Sequence, residues 1–229
     1  MDIMNDLALS FLGGVGATAF IWLGTLLYGR AMKILVNRGV PVLGKHAIIV
    51  IGSYRGFKQD WPDDVWVHEE GVHAARALSG LFTKWHVDHE YVSDKSYAGE
   101  EAAGIELCVG GPVVNTRTAY YIKTYGGIFD DLSSNVRHDE AWIVKLTVPS
   151  SPRGTRCVLL LYGCGSFDTV AAVTYFTHYF SELSRQELRQ QNRALRLRTR
   201  PSLGVGYSEI IAILDAGRST QSLGTPTNT

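Results

Sequence analysis

The hydrophobic pattern of the chain begins with one long apolar run, and no later run matches its length. Residues 7–28 read LALSFLGGVGATAFIWLGTLLY and contain no charged side chain. A helix of about 20 apolar residues spans the hydrocarbon core of a bilayer and satisfies its own backbone hydrogen bonds there. The run therefore predicts a transmembrane helix. A cleaved signal peptide and a buried core helix are the alternatives, which the acidic start of the chain and the length of the run disfavour.

The charges beside this run predict its orientation. Asp2 and Asp6 precede it, and four basic residues follow it, namely Arg30, Lys33, Arg38 and Lys45. Because basic residues stay on the cytoplasmic side of a membrane, we expect the N-terminus outside the cell and the rest of the chain in the cytoplasm. The bilayer is thus the first expected partner. The small residues of the run also permit homo-oligomerisation through the anchor.

The later apolar runs are shorter and alternate with helix-like stretches, which is typical of an α/β sheet. Strands are predicted at 47–51, 87–92, 105–109, 142–148, 156–162 and 208–217, and helices at 63–85, from 115 and from 166. The short link PSSPRGT predicts an antiparallel hairpin between the strands at 142–148 and 156–162. The expected fold class is α/β, a Rossmann-like, mostly parallel sheet with an antiparallel hairpin and helices on both faces, preceded by one transmembrane helix.

These patterns divide the chain into four parts. We expect a transmembrane anchor at 1–29, a basic juxtamembrane neck at 30–45, a cytoplasmic Rossmann-like domain at 46–217 and a disordered tail at 218–229. The tail, RSTQSLGTPTNT from residue 218, is polar and punctuated by Gly and Pro, so it lacks the apolar residues that a packed element needs.

Composition excludes several classes of protein. Lys and Arg together number 22, as do Asp and Glu, so the formal net charge of zero disfavours a nucleic-acid partner that needs a broad basic surface. The odd set Cys108, Cys157 and Cys164 predicts buried free thiols. We expect no metal site, because no CxxC pair exists and the histidines of HEEGVH are five residues apart, whereas HExxH places them four apart.

A basic stretch near the C-terminus has three interpretations. It contains Arg185, Arg189, Arg193, Arg196, Arg198 and Arg200. A solvated helix end and loop is favoured over contact with anionic lipid headgroups. Nucleic-acid binding is disfavoured, because no aromatic residues interleave with the arginines.

Three predicted strands end in small, flexible residues that carry the candidate site. These residues are Gly52 and Ser53; Gly110, Gly111, Pro112 and Asn115; and Gly163, Gly165, Ser166 and Thr169. Glycine lets the backbone approach a ligand, the following helix offers N–H groups to an anion, and α/β sheets bind ligands at the carboxyl ends of strands. We therefore expect a nucleotide-type ligand and no other cofactor. Purely structural turns are the alternative, since the last turn has Asp168 where G-x-G-x-x-G has its third glycine.

The GGPVVN run from Gly110, followed by a strand that leads to G-x-G-S-x-x-T-x-A-A from Gly163, resembles bacterial Rossmann-like domains of the SLOG and TIR-like nucleotide-sensing type. Actinobacterial proteins with a similar Gly-Gly-Pro-x-x-Asn piece share part of this pattern. The resemblance covers residues 47–184 and implies a nucleotide sensor or effector in defence or signalling, fused to a membrane anchor. The chain lacks the glutamate of the SLOG-like pattern Gly-Gly-x-Gly-Thr-x-x-Glu.

Three functions remain open on this basis. The first is a membrane-anchored cytoplasmic nucleotide-binding sensor or effector module. The second is a hydrolase of a nucleotide or NAD-like N-glycosidic bond, for which Glu69, Glu70 or Glu106 must reach the crevice. The third is a structural membrane protein without catalysis. The sequence assigns no catalytic residue, and Cys164 is interpreted as a buried, inert thiol.

Overall fold

The computed structural model of the protein describes residues 22–41, 45–55, 65–67, 69–97, 104–129, 136–150, 154–204, 206–216 and 221–222. Most of the predicted anchor, residues 1–21, lies outside these ranges. Its last residues belong to a helix that covers residues 22–37. Among the helices of the described residues, none is both long enough and apolar enough to cross a membrane.

The described residues form alternating strands and helices. The strands are β1 (His46–Ile51), β2 (Tyr54–Arg55), β3 (Val65–Trp66), β4 (Asp88–Ser93), β5 (Ile105–Val109), β6 (Glu140–Ser150), β7 (Gly154–Gly163), β8 (Arg193–Thr199), β9 (Ser208–Asp215) and β10 (Gln221–Ser222). The helices are α1 (residues 22–37), α2 (Glu69–Lys84), α3 (Thr116–Tyr125), α4 (Ser166–His178) and α5 (Phe180–Arg185). Short 3₁₀ helices cover Gly126–Ile128, Glu187–Arg189 and Pro201–Leu203.

Eight strands form one mixed sheet in the order β10-β9-β8-β6-β7-β5-β1-β4. The strands β4, β1, β5 and β7 are parallel to one another. Beyond β7, the strands β6, β8, β9 and β10 continue the sheet, and each pairs antiparallel with its neighbours. The predicted hairpin is β6 and β7, which pair from Ala141 with Gly163 to Ser150 with Gly154. The predicted α/β sheet with an antiparallel hairpin is thus confirmed, whereas the prediction of a mostly parallel sheet holds only for the core of β4, β1, β5 and β7, because β6, β8, β9 and β10 pair antiparallel.

Helices cover both faces of the parallel strands. Residues such as Ile49 and Leu107 contribute to one core, which also contains Leu78 of α2 and Phe176 of α4. The alternate strand residues, which point to the opposite face, form a second core that includes Tyr121 of α3. Parallel strands that are buried on both faces have continuous apolar sequences, which is why β1 reads AIIVI after His46.

The end of α1 is part of the domain core. Val36 and the nearby Val40 are fully buried in the same cluster as α2 and α4. Gly39 lies so close to α5 that an added Cβ would be 1.8 Å from the carbonyl oxygen of Ser184. The predicted neck at residues 30–45 therefore includes positions that pack against the domain.

The beginning of the first predicted helix differs from the structure. The acidic pair at positions 63–64 predicts a helix from that point to residue 85, but α2 begins at Glu69 and ends at Lys84. Val65–Trp66 instead forms β3 and pairs with Tyr54–Arg55 in a two-stranded antiparallel sheet. Pairing with a partner strand thus replaces the helical conformation before α2.

The strand β8 differs from the sequence-based prediction for this stretch. The basic stretch includes the sequence RALRLRT, which alternates in the way that a strand with two different faces requires. Its arginines form ion pairs within the sheet: Arg193 with Asp215 at 2.6 Å, and Arg196 with Glu140 at 2.6 Å. The interpretation of this stretch as a solvated helix end and loop is wrong for residues 193–199.

The predicted tail also contributes to the sheet. Gln221–Ser222 forms β10 and pairs with Ala212 and Ile213 of β9. The other residues of the predicted tail lie outside the described part of the chain.

Candidate functional site

A crevice of about 340 Å³ lies at the carboxyl ends of β1, β5 and β7. The strands β4 and β5 lie on opposite sides of β1, and the helices that follow β1 and β5 pack on opposite faces of the sheet. This reversal is the topological switch point at which open α/β sheets bind ligands. The crevice is lined by Ile51, Gly52, Glu70, Gly71, Val109, Gly110, Gly111, Pro112, Val113, Val114, Val136, Gly163, Cys164, Gly165, Ser166 and Thr169.

Most of the predicted site residues meet in this one crevice. The eight that line it are Gly52, Gly110, Gly111, Pro112, Gly163, Gly165, Ser166 and Thr169. Ser53 and Asn115 do not line it. They are 2% and 0% exposed, and their polar atoms form hydrogen bonds that fix the surrounding backbone. The three strand ends thus converge on one crevice. The side chains of Ser53 and Asn115 are buried next to it and form hydrogen bonds within the protein.

Two glycines of the crevice are required by close packing. A Cβ at Gly163 would lie 2.2 Å from the Cβ of Asp168, so only glycine lets β7 turn into α4 at this distance. A Cβ at Gly52 would lie 2.9 Å from the carbonyl oxygen of Val114. The first contact fixes the turn from β7 into α4, and the second brings the loop after β1 against the loop after β5.

The side chain of Asn115 forms hydrogen bonds with β1, β5 and α3. Its side-chain amide donates to the carbonyl oxygens of Val50 in β1 and Val109 in β5, at 3.1 and 3.0 Å. Its Oδ1 accepts from the backbone N–H groups of Arg117 and Thr118 in the first turn of α3. Asn115 is therefore the N-cap of α3, and its side chain also bridges β1 and β5.

A buried carboxylate occupies the N-terminus of α3. Asp94, directly after β4, accepts from the backbone N–H groups of Ser53 and Thr116, each at 2.9 Å, and from both hydroxyl groups. Burial alone raises the pKa of Asp94, but the hydrogen bonds from Ser53 and Thr116 outweigh it and lower the pKa below the usual value. The first-turn N–H groups of α3 thus bind side chains of the protein itself.

The N-terminus of α4 borders the crevice directly. Gly165 and Ser166 lie on its wall, and the hydroxyl of Thr169 donates to the carbonyl oxygen of Gly165 at 3.1 Å. The carboxylate of Asp168 accepts from the N–H of Gly165 at 3.3 Å and from the hydroxyl of Thr199 at 2.6 Å. Asp168 thereby connects the turn to β8, and the positive end of the α4 dipole lies beside the crevice.

A glutamate and a cysteine also line the crevice. Glu70, in the first turn of α2, lies on its wall, as does Cys164. The Sγ of Cys164 is 3.7 Å from Nδ1 of His138. The structure exposes Cys164, whereas Cys108 and Cys157 are buried. The sequence-based interpretation of Cys164 as a buried thiol is therefore wrong.

The other two candidate glutamates lie elsewhere. The side chain of Glu69 is exposed and contacts His73 at 3.4 Å. Glu106 is fully buried on the α3 face of β5, where it accepts from Tyr121 at 2.8 Å and contacts two guanidinium groups. These belong to Arg117 and Arg156, at 3.1 and 3.2 Å.

Ionisation of the tyrosines near Glu106 is suppressed. Burial raises the pKa of Tyr121 well above its usual value, and the charge of Glu106 adds to this effect. The same two causes raise the pKa of Tyr97 to about 12. Both hydroxyls thus remain protonated at physiological pH, so that Tyr121 can donate to the carboxylate of Glu106.

The roles of Asp94 and of the Glu106 cluster are not predicted from the sequence. A lone glutamate within the apolar strand IELCV and an aspartate directly after the strand DHEYVS were the available signals. A buried carboxylate needs charged or hydrogen-bonding partners, but only the fold identifies them. Within the described ranges, no three His, Cys, Asp or Glu side chains lie close enough together to hold a metal ion.

Comparison with protein-family models gives no match for this chain, and no curated protein sequence matches it.

Proposed function

We propose that the crevice binds a nucleotide-type ligand and that the protein is a membrane-anchored sensor or effector module. The observation that carries this proposal is the meeting of three glycine-containing strand ends at the switch point of the sheet. A ligand bound there contacts loops from β1, β5 and β7 together, so its binding links elements that are distant in sequence.

The chemistry of the crevice walls supports this class of ligand. Apolar residues, including Ile51, Val109 and Val114, offer a surface for a base or a sugar ring. Ser166 and the N-terminus of α4 lie on the same wall and suit a phosphate group. At α3 the carboxylate of Asp94 accepts from the first-turn N–H of Thr116, whereas at α4 the carboxylate of Asp168 accepts from the N–H of the N-cap Gly165, so α4 is the favoured phosphate site of these two helices. The volume of about 340 Å³ fits a small ligand.

The described part of α1 supports membrane anchorage. Trp22, Leu23, Leu27 and Tyr28 are each more than half exposed, although they are large and apolar. These residues end the uncharged run at 7–28, and aromatic residues at such a position suit a membrane interface. Retention of the full-length protein in membranes after carbonate extraction tests the anchor. Release of the protein into the supernatant contradicts it.

Calorimetric titration of the full-length protein in detergent tests ligand binding. The full chain is needed, because Val36 and Val40 belong to the core and a fragment from residue 45 lacks both. The panel is ATP, ADP, AMP, NAD and UDP-glucose. We expect saturable binding of at least one member at one site per chain. The lack of binding heat from every member contradicts the proposal.

A hydrolase of an N-glycosidic bond is a second candidate function, favoured by the position of Glu70. This glutamate lines the crevice, whereas Glu69 and Glu106 point elsewhere. A carboxylate beside a bound nucleoside can stabilise the positive charge that develops on the sugar as the bond breaks.

Turnover of NAD by the full-length protein tests this second function. We expect Glu70→Gln to abolish the release of nicotinamide and Glu69→Gln, its exposed neighbour, to retain it. Equal rates in both variants, or no turnover by the unaltered protein, contradict a hydrolase function of this crevice for NAD.

A further inference from the structure

The exposed side of α1 continues beyond the predicted membrane span. Leu23, Leu27 and Ile34 are 52%, 57% and 55% exposed, and their spacing of four and seven residues places them on one side of a helix. Val36, on the opposite side, is fully buried in the domain core. The end of the helix, from residue 32, therefore packs one side against the domain, whereas residues 22–31 are exposed apart from the half-buried Leu26.

The charges along this part of the chain have one sign. No Asp or Glu occurs between Asp6 and Asp60. Arg30 and Arg38 are exposed on α1 or directly after it, near Ile34, and Lys33 is half-buried. A helix with apolar residues on its outward side and basic residues beside them has the composition of segments that lie on anionic lipid.

The packing of α1 sets a short distance between the bilayer and the domain. From Tyr28, where the uncharged run ends, to the buried Val36 is eight residues of helix, or about 12 Å. The headgroup region on one side of a bilayer is about 5–7 Å thick. The domain is thus attached just beyond the headgroups, without a loose linker.

The attachment point and the crevice lie at opposite ends of the helical layer. Gly39 contacts Ser184 in α5, and Phe180 of α5 packs edge-to-face against Trp85, one residue beyond α2. The other end of α2, at Glu70, lines the crevice. The 16 residues of α2 separate these two ends by about 24 Å.

We propose that the outward side of α1 docks on an anionic bilayer surface and holds the crevice facing away from the lipid. Leu27 reaches the boundary between headgroups and acyl chains, Ile34 lies about 10 Å further along the helix against the outer headgroup region, and Arg30 and Arg38 contact the acidic headgroups. The proposal rests on the membrane anchor of the proposed function. Its consequence is that the ligand of the crevice reaches the protein from the aqueous phase.

Cysteine accessibility in lipid nanodiscs tests this orientation. The full-length protein with Ile34→Cys is placed in discs of phosphatidylcholine alone or with about one-third phosphatidylserine, and treated with a polyethylene-glycol maleimide. The exposed Cys164 reports on the crevice, and Cys108 and Cys157 are buried. With phosphatidylserine, we expect labelling of the thiol introduced at position 34 to slow by at least about fivefold and labelling of Cys164 to stay unchanged.

Charge reversal supplies the matched comparison. The double variant Arg30→Glu/Arg38→Glu is expected to remove the effect of phosphatidylserine on the introduced thiol. The double variant Arg76→Glu/Lys123→Glu makes the same change of charge at exposed positions of α2 and α3, and we expect it to retain the effect.

Four results overturn the docking proposal. Equal labelling of the introduced thiol in both lipids, or protection that the Arg30→Glu/Arg38→Glu change does not reduce, shows that acidic headgroups do not cover α1. Protection of Cys164 together with the introduced thiol shows that the crevice faces the bilayer. Failure of the protein to enter the discs at all contradicts the membrane anchor. It does not affect nucleotide binding, which the titration in detergent tests separately.

Discussion

The carboxylate of Asp94 accepts a hydrogen bond from the backbone N–H of Thr116 at 2.9 Å and so binds the first turn of α3. The same carboxylate accepts from Ser53 at the end of β1. A negative charge from the protein itself therefore sits where a helix N-terminus attracts an anion. This contact directs the proposed phosphate site to α4, and it leaves α3 with a structural role.

Removal of this carboxylate should destabilise the fold. Asp94→Ala leaves buried donors of Ser53 and Thr116 without their acceptor, and hydrogen bonds to a charged group contribute about 1.5–3 kcal/mol. We expect the free energy of unfolding to fall by about 3 kcal/mol in chemical denaturation at pH 7. Asp88→Asn, at a carboxylate whose side chain is 90% exposed, is the control and should change little. A change below about 0.5 kcal/mol in Asp94→Ala contradicts this role of Asp94.

The contribution of Asp94 should depend on pH in a defined direction. Its pKa in the folded protein is below the ordinary value, because the hydrogen bonds from Ser53 and Thr116 outweigh the effect of burial. Its stabilisation is therefore complete above about pH 4, the pKa of an unfolded aspartate, and is lost as pH falls through the lower native pKa. Denaturation curves between pH 7 and pH 2 should show a smaller acid-induced loss in Asp94→Asn than in the unaltered protein. An equal loss in both proteins argues against the lowered pKa.

Neutralising Glu106 should have a larger effect. In Glu106→Gln, the guanidinium groups of Arg117 and Arg156 remain buried after the carboxylate between them has lost its charge. Breaking a buried ion pair by removing one partner costs about 3–5 kcal/mol. We expect a loss of this size in the free energy of unfolding. Glu90→Gln, on the half-exposed side chain of β4, should cost little, and equal losses in the two variants contradict the importance of the cluster.

Gly163 and Gly165 should respond differently to the same substitution. A Cβ at Gly163 meets the Cβ of Asp168 at 2.2 Å, while at Gly165 the nearest atom is 3.9 Å away. We expect Gly163→Ala to cost about 3 kcal/mol of stability through overpacking, and Gly165→Ala less than about 0.5 kcal/mol. Thermal unfolding of the two variants provides the comparison. Similar melting temperatures mean that the turn after β7 is looser than its contacts indicate.

The sequence predicted the parts of the fold whose pattern is local. The apolar run of β1, the start of α3 near Asn115 and the hairpin of β6 and β7 each follow from a few neighbouring residues. The strand β8 was missed because its alternating arginines have their partners on other strands, as Arg196 has in Glu140. The start of α2 was placed too early because β3 is defined by its pairing with β2.

For the candidate site, too, local patterns are predictable from the sequence and contacts between distant residues are not. The glycines at the three strand ends indicated the crevice, because parallel strands end at the same edge of a sheet. Ser53 and Asn115 have the right residue types for ligand contacts, but in the structure their side chains are buried and form hydrogen bonds with other residues of the protein. Their orientation depends on Asp94 and on the backbone of β1, which no spacing along the chain reveals.

The most direct test of the crevice is to fill it without disturbing the fold. Gly165 lines the crevice and has open space around it, so Gly165→Val should place a side chain in the ligand site. Gly154→Val makes the same change at the exposed start of β7, where no atom lies within 4 Å of the added Cβ. In calorimetric titrations with the nucleotide that binds the unaltered protein, we expect Gly165→Val to lose at least about tenfold in affinity and Gly154→Val to match the unaltered protein. Full affinity in a folded Gly165→Val protein would show that the nucleotide binds elsewhere.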